Sequence, residues 1–221
     1  MSCTFGFFSV EVHAGSLSGQ LQILKKGGRK PLDSGAYAVA YLTGVNSVIA
    51  TPPSEKPVFI NQRDKRFSPR VLPLVKGQLV HFYNRDELEH NVFSTAEKNS
   101  FDLGRYAKDD FRPVNYNQAG GYKVYCNIHQ KMILDIMVLN NHYFALTDDD
   151  GKYAINNIPD GDYQLNFWHI YGGKTTLPVK ITAAPLVLES ISLTSTKVVR
   201  NVDKHKNKYG KKYKNKGRYR R

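Results

Sequence analysis

The chain has 221 residues, a formal net charge of +13, 41% apolar residues, two Cys and no long apolar run. That is enough for one large or two small globular domains with a real core, and it excludes a disulfide-stapled miniprotein and a chain with a transmembrane segment. With 14 Tyr and 11 Phe beside 17 Gly and 10 Pro, it is too rich in core-formers to be disordered.

At the N-terminus, residues 1–14 read as the end of a secretion signal. An apolar stretch runs from Cys3 to Val10, and Val12, His13 and Ala14 place small residues where a signal peptidase cuts. The basic region that opens such signals is missing, and a buried first strand is the competing reading. If the segment is removed, Cys3 leaves with it. Cys126 then stands as a single thiol in an oxidising compartment, periplasmic or secreted, with no disulfide partner.

Beyond it, helical periodicity is scarce and short alternating runs bounded by Gly, Pro, Asn and Asp recur, which predicts an all-β fold. Predicted strands are 17–24, 36–42, 58–62, 70–75, 78–84, 121–125, 133–139, 153–155, 162–168, 177–182 and 187–193. Lys76-Gly77, Asn141, Asp150-Gly151 and Asp160-Gly161 supply turns between them. Residues 107–119, with Pro113, read as a long loop.

The chemistry concentrates in one place. Cys126, His129 and Met132 share the connection between two predicted strands, and His90-Asn91 follows an earlier strand 36 residues upstream. A thiolate, two imidazoles and a thioether form the ligand set of a mononuclear copper site, His₂Cys in a plane and Met at a longer axial distance. A C-x-x-H alone is a weak signal, but four donors in this order are hard to reach by chance. Zinc competes for Cys and His, yet a thioether adds little to zinc. Asn91 is expected to pin the two ligand loops through its amide, whereas Asn127 reads as turn-forming. His81, His142 and His169 read as structural or surface residues. The acids at 148–150 lack the spacing of a calcium loop and read as a turn.

With these residues in view, 58–139 resembles the cupredoxins, and its C-x-x-H-x-x-M loop is most similar to the plastocyanin/amicyanin branch. The resemblance extends to Gln62, Phe67-Ser68-Pro69, Phe101-Asp102-Leu103-Gly104 and Trp168-His169. The flanks resemble a carboxypeptidase regulatory-like (prealbumin-like) β-sandwich. Leu17 to Leu42 is similar to its opening, and Thr147 to Leu165, with an Ile-Pro-x-Gly turn, to its second half. The whole order resembles bacterial secreted proteins of the methylamine-utilisation type. It implies a Greek-key cupredoxin domain, about 55–140, inserted into a sandwich made of 15–50 and 143–195. Two sandwiches in series is the alternative. Neither flank has strands enough for a core of its own, which favours insertion.

From Lys197 to Arg221 there are 12 Lys/Arg and one acid, Asp203, so this tail carries +11 and the rest of the chain about +2. Its Lys/Tyr composition predicts disorder over 197–221. Its removal takes away no proposed ligand, so a metal site is expected to be indifferent to it. Nucleic acid suits the composition but not an exported protein, so an anionic envelope surface or an acidic redox partner is the expected target. No nucleophile triad, phosphate loop or dinucleotide fingerprint stands out, and the chain reads as a protein without enzymatic activity. The expected function is electron transfer through one type 1 copper ion. The resemblance implies that the edge of His129 is the electron port. Copper storage or delivery, and envelope binding by a β-sandwich, are the alternatives.

Overall fold

The computed structural model describes residues 14–44, 52–198 and 205–213, and the predicted signal segment 1–13 lies outside them. All regular structure among the described residues is strand, as expected. Two sandwiches are built from different parts of the chain.

The first sandwich draws on both ends. One sheet places β1 (Ala14–Leu24) between β13 (Lys152–Pro159) and two short parallel strands, β16 (Leu186–Val187) and β17 (Ile191–Thr194). Its partner has the order β12 (Phe144–Leu146), β2 (Ala38–Thr43), β14 (Gly161–His169) and β15 (Lys174–Ile181). Alternation along β1 and β14 sends Leu17, Leu21, Ile23, Leu165 and Phe167 into a common core with Ile155 and Ile158. The turn before β13 depends on Gly151, whose φ is +79° and whose carbonyl accepts the Leu21 amide at 2.8 Å. A Cβ there would sit 2.1 Å from the Leu21 carbonyl oxygen, so only glycine fits.

Residues 58–139 form the second sandwich. One sheet has the order β5 (Val71–Val75), β11 (Ile133–Leu139), β10 (Gly120–Cys126), β7 (Val92–Ser94) and β8 (Phe101–Asp102). Facing it are β4 (Arg66–Ser68), β3 (Val58–Arg63), β6 (Gln78–Asn84) and β9 (Phe111–Tyr116). The connections β4–β5, β5–β6, β6–β7, β8–β9 and β9–β10 cross between the sheets, in Greek-key fashion. Ile60, Val80, Phe82, Val92, Val124, Leu134 and Ile136 close the core, and Cys126 and Met132 lie at its edge.

Strand β11 is buried on both faces along its whole length. Its inner side chains fill the second core. Met137 and Leu139 on the other face meet Val39, Val71 and Ile170 in a small cluster joining the sandwiches. Asp135 is 1% exposed and pairs with Arg70 and Lys123, which answers the cost of a charge at that seam.

Three expectations are corrected. Residues 107–119 contain β9, which lies at the sheet edge; Pro113 is tolerated there because an edge position can spare its missing N–H. The run 187–193 is two short strands, both parallel to β1, with the Leu188 amide bonded to the Ser18 carbonyl at 2.8 Å between them. Finally, His205–Tyr213 of the tail is ordered and packs on the second sandwich; 199–204 and 214–221 lie outside the described residues.

Candidate metal centre

Strand pairing creates the site. Cys126 ends β10 on its inward face and pairs with Val92 of β7, so His90, two residues before Val92, is delivered beside the thiol. The connection from Cys126 to Met132 folds back on itself. The Met132 amide bonds to the His129 carbonyl at 3.0 Å and the Cys126 amide to the Met132 carbonyl at 3.3 Å. This loop brings His129 to the same point.

Nδ1 of His90 lies 3.6 Å from Cys126 Sγ, Nδ1 of His129 lies 3.7 Å from it, and the two nitrogens are 3.1 Å apart. The circle through these three atoms has a radius of about 2.0 Å, the length of a first-row metal–nitrogen bond and slightly less than a metal–sulfur bond. Cys126 and His90 are buried and His129 is half-buried. Met132 is fully buried in the adjoining core. The geometry therefore brings three of the expected donors together, with Met132 directly behind them in the chain.

The tautomer of His90 is fixed from outside. Asp86 lies 2.8 Å from His90 Nε2, so this nitrogen carries the proton and Nδ1 offers its lone pair to the cluster. Asp86 itself accepts the amides of Asp64 at 2.6 Å and Lys65 at 2.9 Å. Burial alone would raise its pKa, but these amides and the His90 ring hold it below the usual carboxylate range. The turn carrying it is tied by buried Asn84, which donates to the Leu88 and Tyr106 carbonyls and accepts the Asp86 amide. His90 and Tyr106 exchange backbone hydrogen bonds at 3.0 and 3.2 Å. Gln62 donates to the Tyr106 hydroxyl at 2.5 Å, behind the ligand.

Burial lowers the pKa of His90, against the pull of Asp86, and that of His129, where the neighbouring His90 adds to it. Both imidazoles are thereby kept neutral near pH 7, the form that binds metals.

Asn91 plays a different part from the one expected. Its side chain donates to Asp102 at 2.5 Å, and the ligand loops are pinned by its backbone carbonyl, which accepts the Asn127 amide at 2.8 Å. Asn127 is more than a turn residue, because its Oδ1 accepts the Lys208 amide at 3.0 Å. His81 stacks on Phe111, His142 lies against Tyr143 and His169 is buried in β14; none joins the cluster. Sequence reasoning missed Asp86, Asn84 and the tail contacts. An acid four residues before a ligand histidine was the available signal for the first.

No protein-family profile and no curated protein matches the chain. Among solved structures, an oxidised proline-to-glycine variant of amicyanin is 19% identical over 41% of this chain and 89% of its own, with a TM-score of 0.36. A purple cupredoxin from Nitrosopumilus maritimus is 21% identical over 37% of this chain and 99% of its own, at 0.34. A copper-containing nitrite reductase from Thermus scotoductus is 20% identical over 54% of this chain and 28% of its own, at 0.37. The last corrects one expectation: an enzyme stands among the similar structures, so the reading of a protein without enzymatic activity is withdrawn. Among the described residues, no helix is long and apolar enough to cross a membrane.

Proposed function

We propose that His90, Cys126, His129 and Met132 would hold one copper ion, with Asp86 and Asn91 supporting them, and that the protein carries electrons. The triangle of 3.1, 3.6 and 3.7 Å among two imidazole nitrogens and a thiolate carries this reading, because its sides suit three-coordinate binding by soft and borderline donors. Copper supplies the one-electron couple. The chain's own work is to keep the three donors fixed, exclude water by burying Cys126 and His90, and leave His129 half-exposed.

A redox partner protein is proposed to dock at the His129 edge. Lys206, Lys211 and Lys212 of the ordered tail are exposed beside the ligand loop, which favours an acidic partner. An exported, periplasmic or secreted location accords with a buried thiol reserved for metal. The sandwich built from both chain ends is proposed as a carboxypeptidase regulatory-like module carrying residues 55–140 as an insertion. The pairing of Leu17 with Ile155 and of Leu165 with Leu42 supports it.

Voltammetry of the copper-loaded protein tests the carrier role. Reversible one-electron reduction with the ion retained over many cycles is expected. Release of the ion on reduction would favour copper delivery instead.

A further inference from the structure

Two strands and their loop assemble the donors. The C-terminal segment His205–Tyr213 bonds to the outward groups of that loop. Tyr213 donates its phenol to the Cys126 carbonyl at 2.7 Å, and the His205 amide donates to Gln130 at 3.2 Å. His205 Nε2 reaches the His129 carbonyl at 3.3 Å, and the Lys208 amide reaches Asn127 Oδ1 at 3.0 Å. The Lys208 ammonium pairs with Asp102, which also holds the Asn91 side chain next to His90. One short segment thus holds the Cys126–Met132 loop directly and reaches the neighbour of His90 through Asp102.

The segment is shaped for this contact. Asn207 accepts the amides of Tyr209 at 3.1 Å and Lys211 at 2.9 Å, and Gly210 takes φ +73°, so it forms a closed turn of its own. His205 stacks on Tyr125 with ring centroids 4.5 Å apart, and Tyr213 meets the His205 ring edge-on at 5.4 Å. Tyr125 directly precedes Cys126, so the stack fixes the end of β10 as well.

We propose that His205–Tyr213 is a strap that positions the Cys126–Met132 loop, with Tyr213, Lys208 and His205 as positioning residues, and so sets how fast the centre takes up and releases its ion. The metal half of this statement rests on the copper reading; the loop-holding half does not. Loops at binding sites open locally at a cost well below global unfolding, and contacts that exist only in the closed form slow that opening. While the strap is docked, the Cys126–Met132 loop is held from outside at Cys126, Asn127, His129 and Gln130.

The test compares the full chain with a variant ending at Val198 and with Tyr213→Phe, which changes no charge. In metal-free protein, alkylation of Cys126 by iodoacetamide is followed by peptide mass, with Cys3 counted separately. In copper-loaded protein, transfer of the ion to excess of a copper(I) chelator is timed. Truncation is expected to accelerate both by about tenfold and Tyr213→Phe by two- to threefold, with the global melting temperature unchanged. Rates within twofold of the full chain would overturn the proposal. A parallel fall in melting temperature would also overturn it, since the segment would then support the fold as a whole. Faster alkylation in a protein that takes up no copper would sustain the strap and refute the copper reading.

Discussion

The carboxylate of Asp86 lies 2.8 Å from Nε2 of His90, on the far side of the imidazole from the Cys126 thiol. One ring nitrogen is thereby committed to a carboxylate and the other left free to bind a metal. Because Asp86 is held by two backbone amides, it orients the ring as well as its proton.

Asp86→Asn should therefore weaken copper binding by about 10–100-fold, the usual cost of losing a carboxylate behind a histidine ligand. The amide can also present its NH₂ to Nε2 and so favour the wrong tautomer. A competition titration against a copper chelator measures this. Affinity equal to the parent would mean that the ring is oriented by packing alone.

Met132→Leu should leave a coloured copper protein with a raised reduction potential, since a thioether donor that would favour Cu(II) is removed while the thiol and two imidazoles stay. Met132 is fully buried, and leucine conserves its volume closely, so the stability cost should stay below about 1.5 kcal/mol. Voltammetry and thermal unfolding read the two effects. Complete loss of copper would contradict the assignment of Met132 as the weakest of the four donors.

How much of this was legible beforehand differs from residue to residue. The proposed donors Cys126, His129 and Met132 are close in sequence, and β11 is apolar apart from Asp135, so each announces itself. Strand β9 was hidden by Pro113, whose edge position is a property of the sheet and not of the segment. The role of Asn91 was misread because its backbone makes the contact assigned to its side chain. The strap was hidden most deeply. Its Lys/Tyr composition is that of a solvated tail, while its contacts are made largely by main-chain amides, one phenol and one imidazole. The strap proposal runs against the expectation that removing the tail leaves the metal site untouched, because Tyr213 is bonded to the Cys126 carbonyl.

His169 gives the fold an acid-sensitive point. It is 1% exposed in β14, and burial pushes its pKa down from 6.5 to about 4, against the opposing effects of the Ala36 backbone and Asp135. Between these values the unfolded chain binds a proton that the folded chain does not. Stability is therefore full above about pH 6.5 and falls as the pH drops toward about 4, by up to about 3 kcal/mol. Urea unfolding of the parent and of His169→Gln at pH 7 and pH 5 measures it. An equal loss in both proteins would place the acid sensitivity elsewhere.

The proposed insertion predicts that the excised segment 55–140 folds and binds copper, its core being closed by residues of 58–139. Excision uncovers Val71, Met137 and Leu139, which pack against Val39 and Ile170 in the whole chain. The fragment should accordingly self-associate at concentrations where the full chain does not. Circular dichroism with metal titration, and sedimentation, report on both. An unfolded fragment would show that the two sandwiches form a single folding unit.

The central claim is that Cys126 and two histidines form a copper site, and the visible absorption spectrum of the full chain titrated with Cu(II), beside Cys126→Ser, tests it most directly. The expected result is intense thiolate-to-copper charge transfer saturating at one ion per chain in the parent and absent from the serine variant, whose hydroxyl cannot replace the soft thiolate. A colourless protein that takes zinc in preference to copper would contradict it.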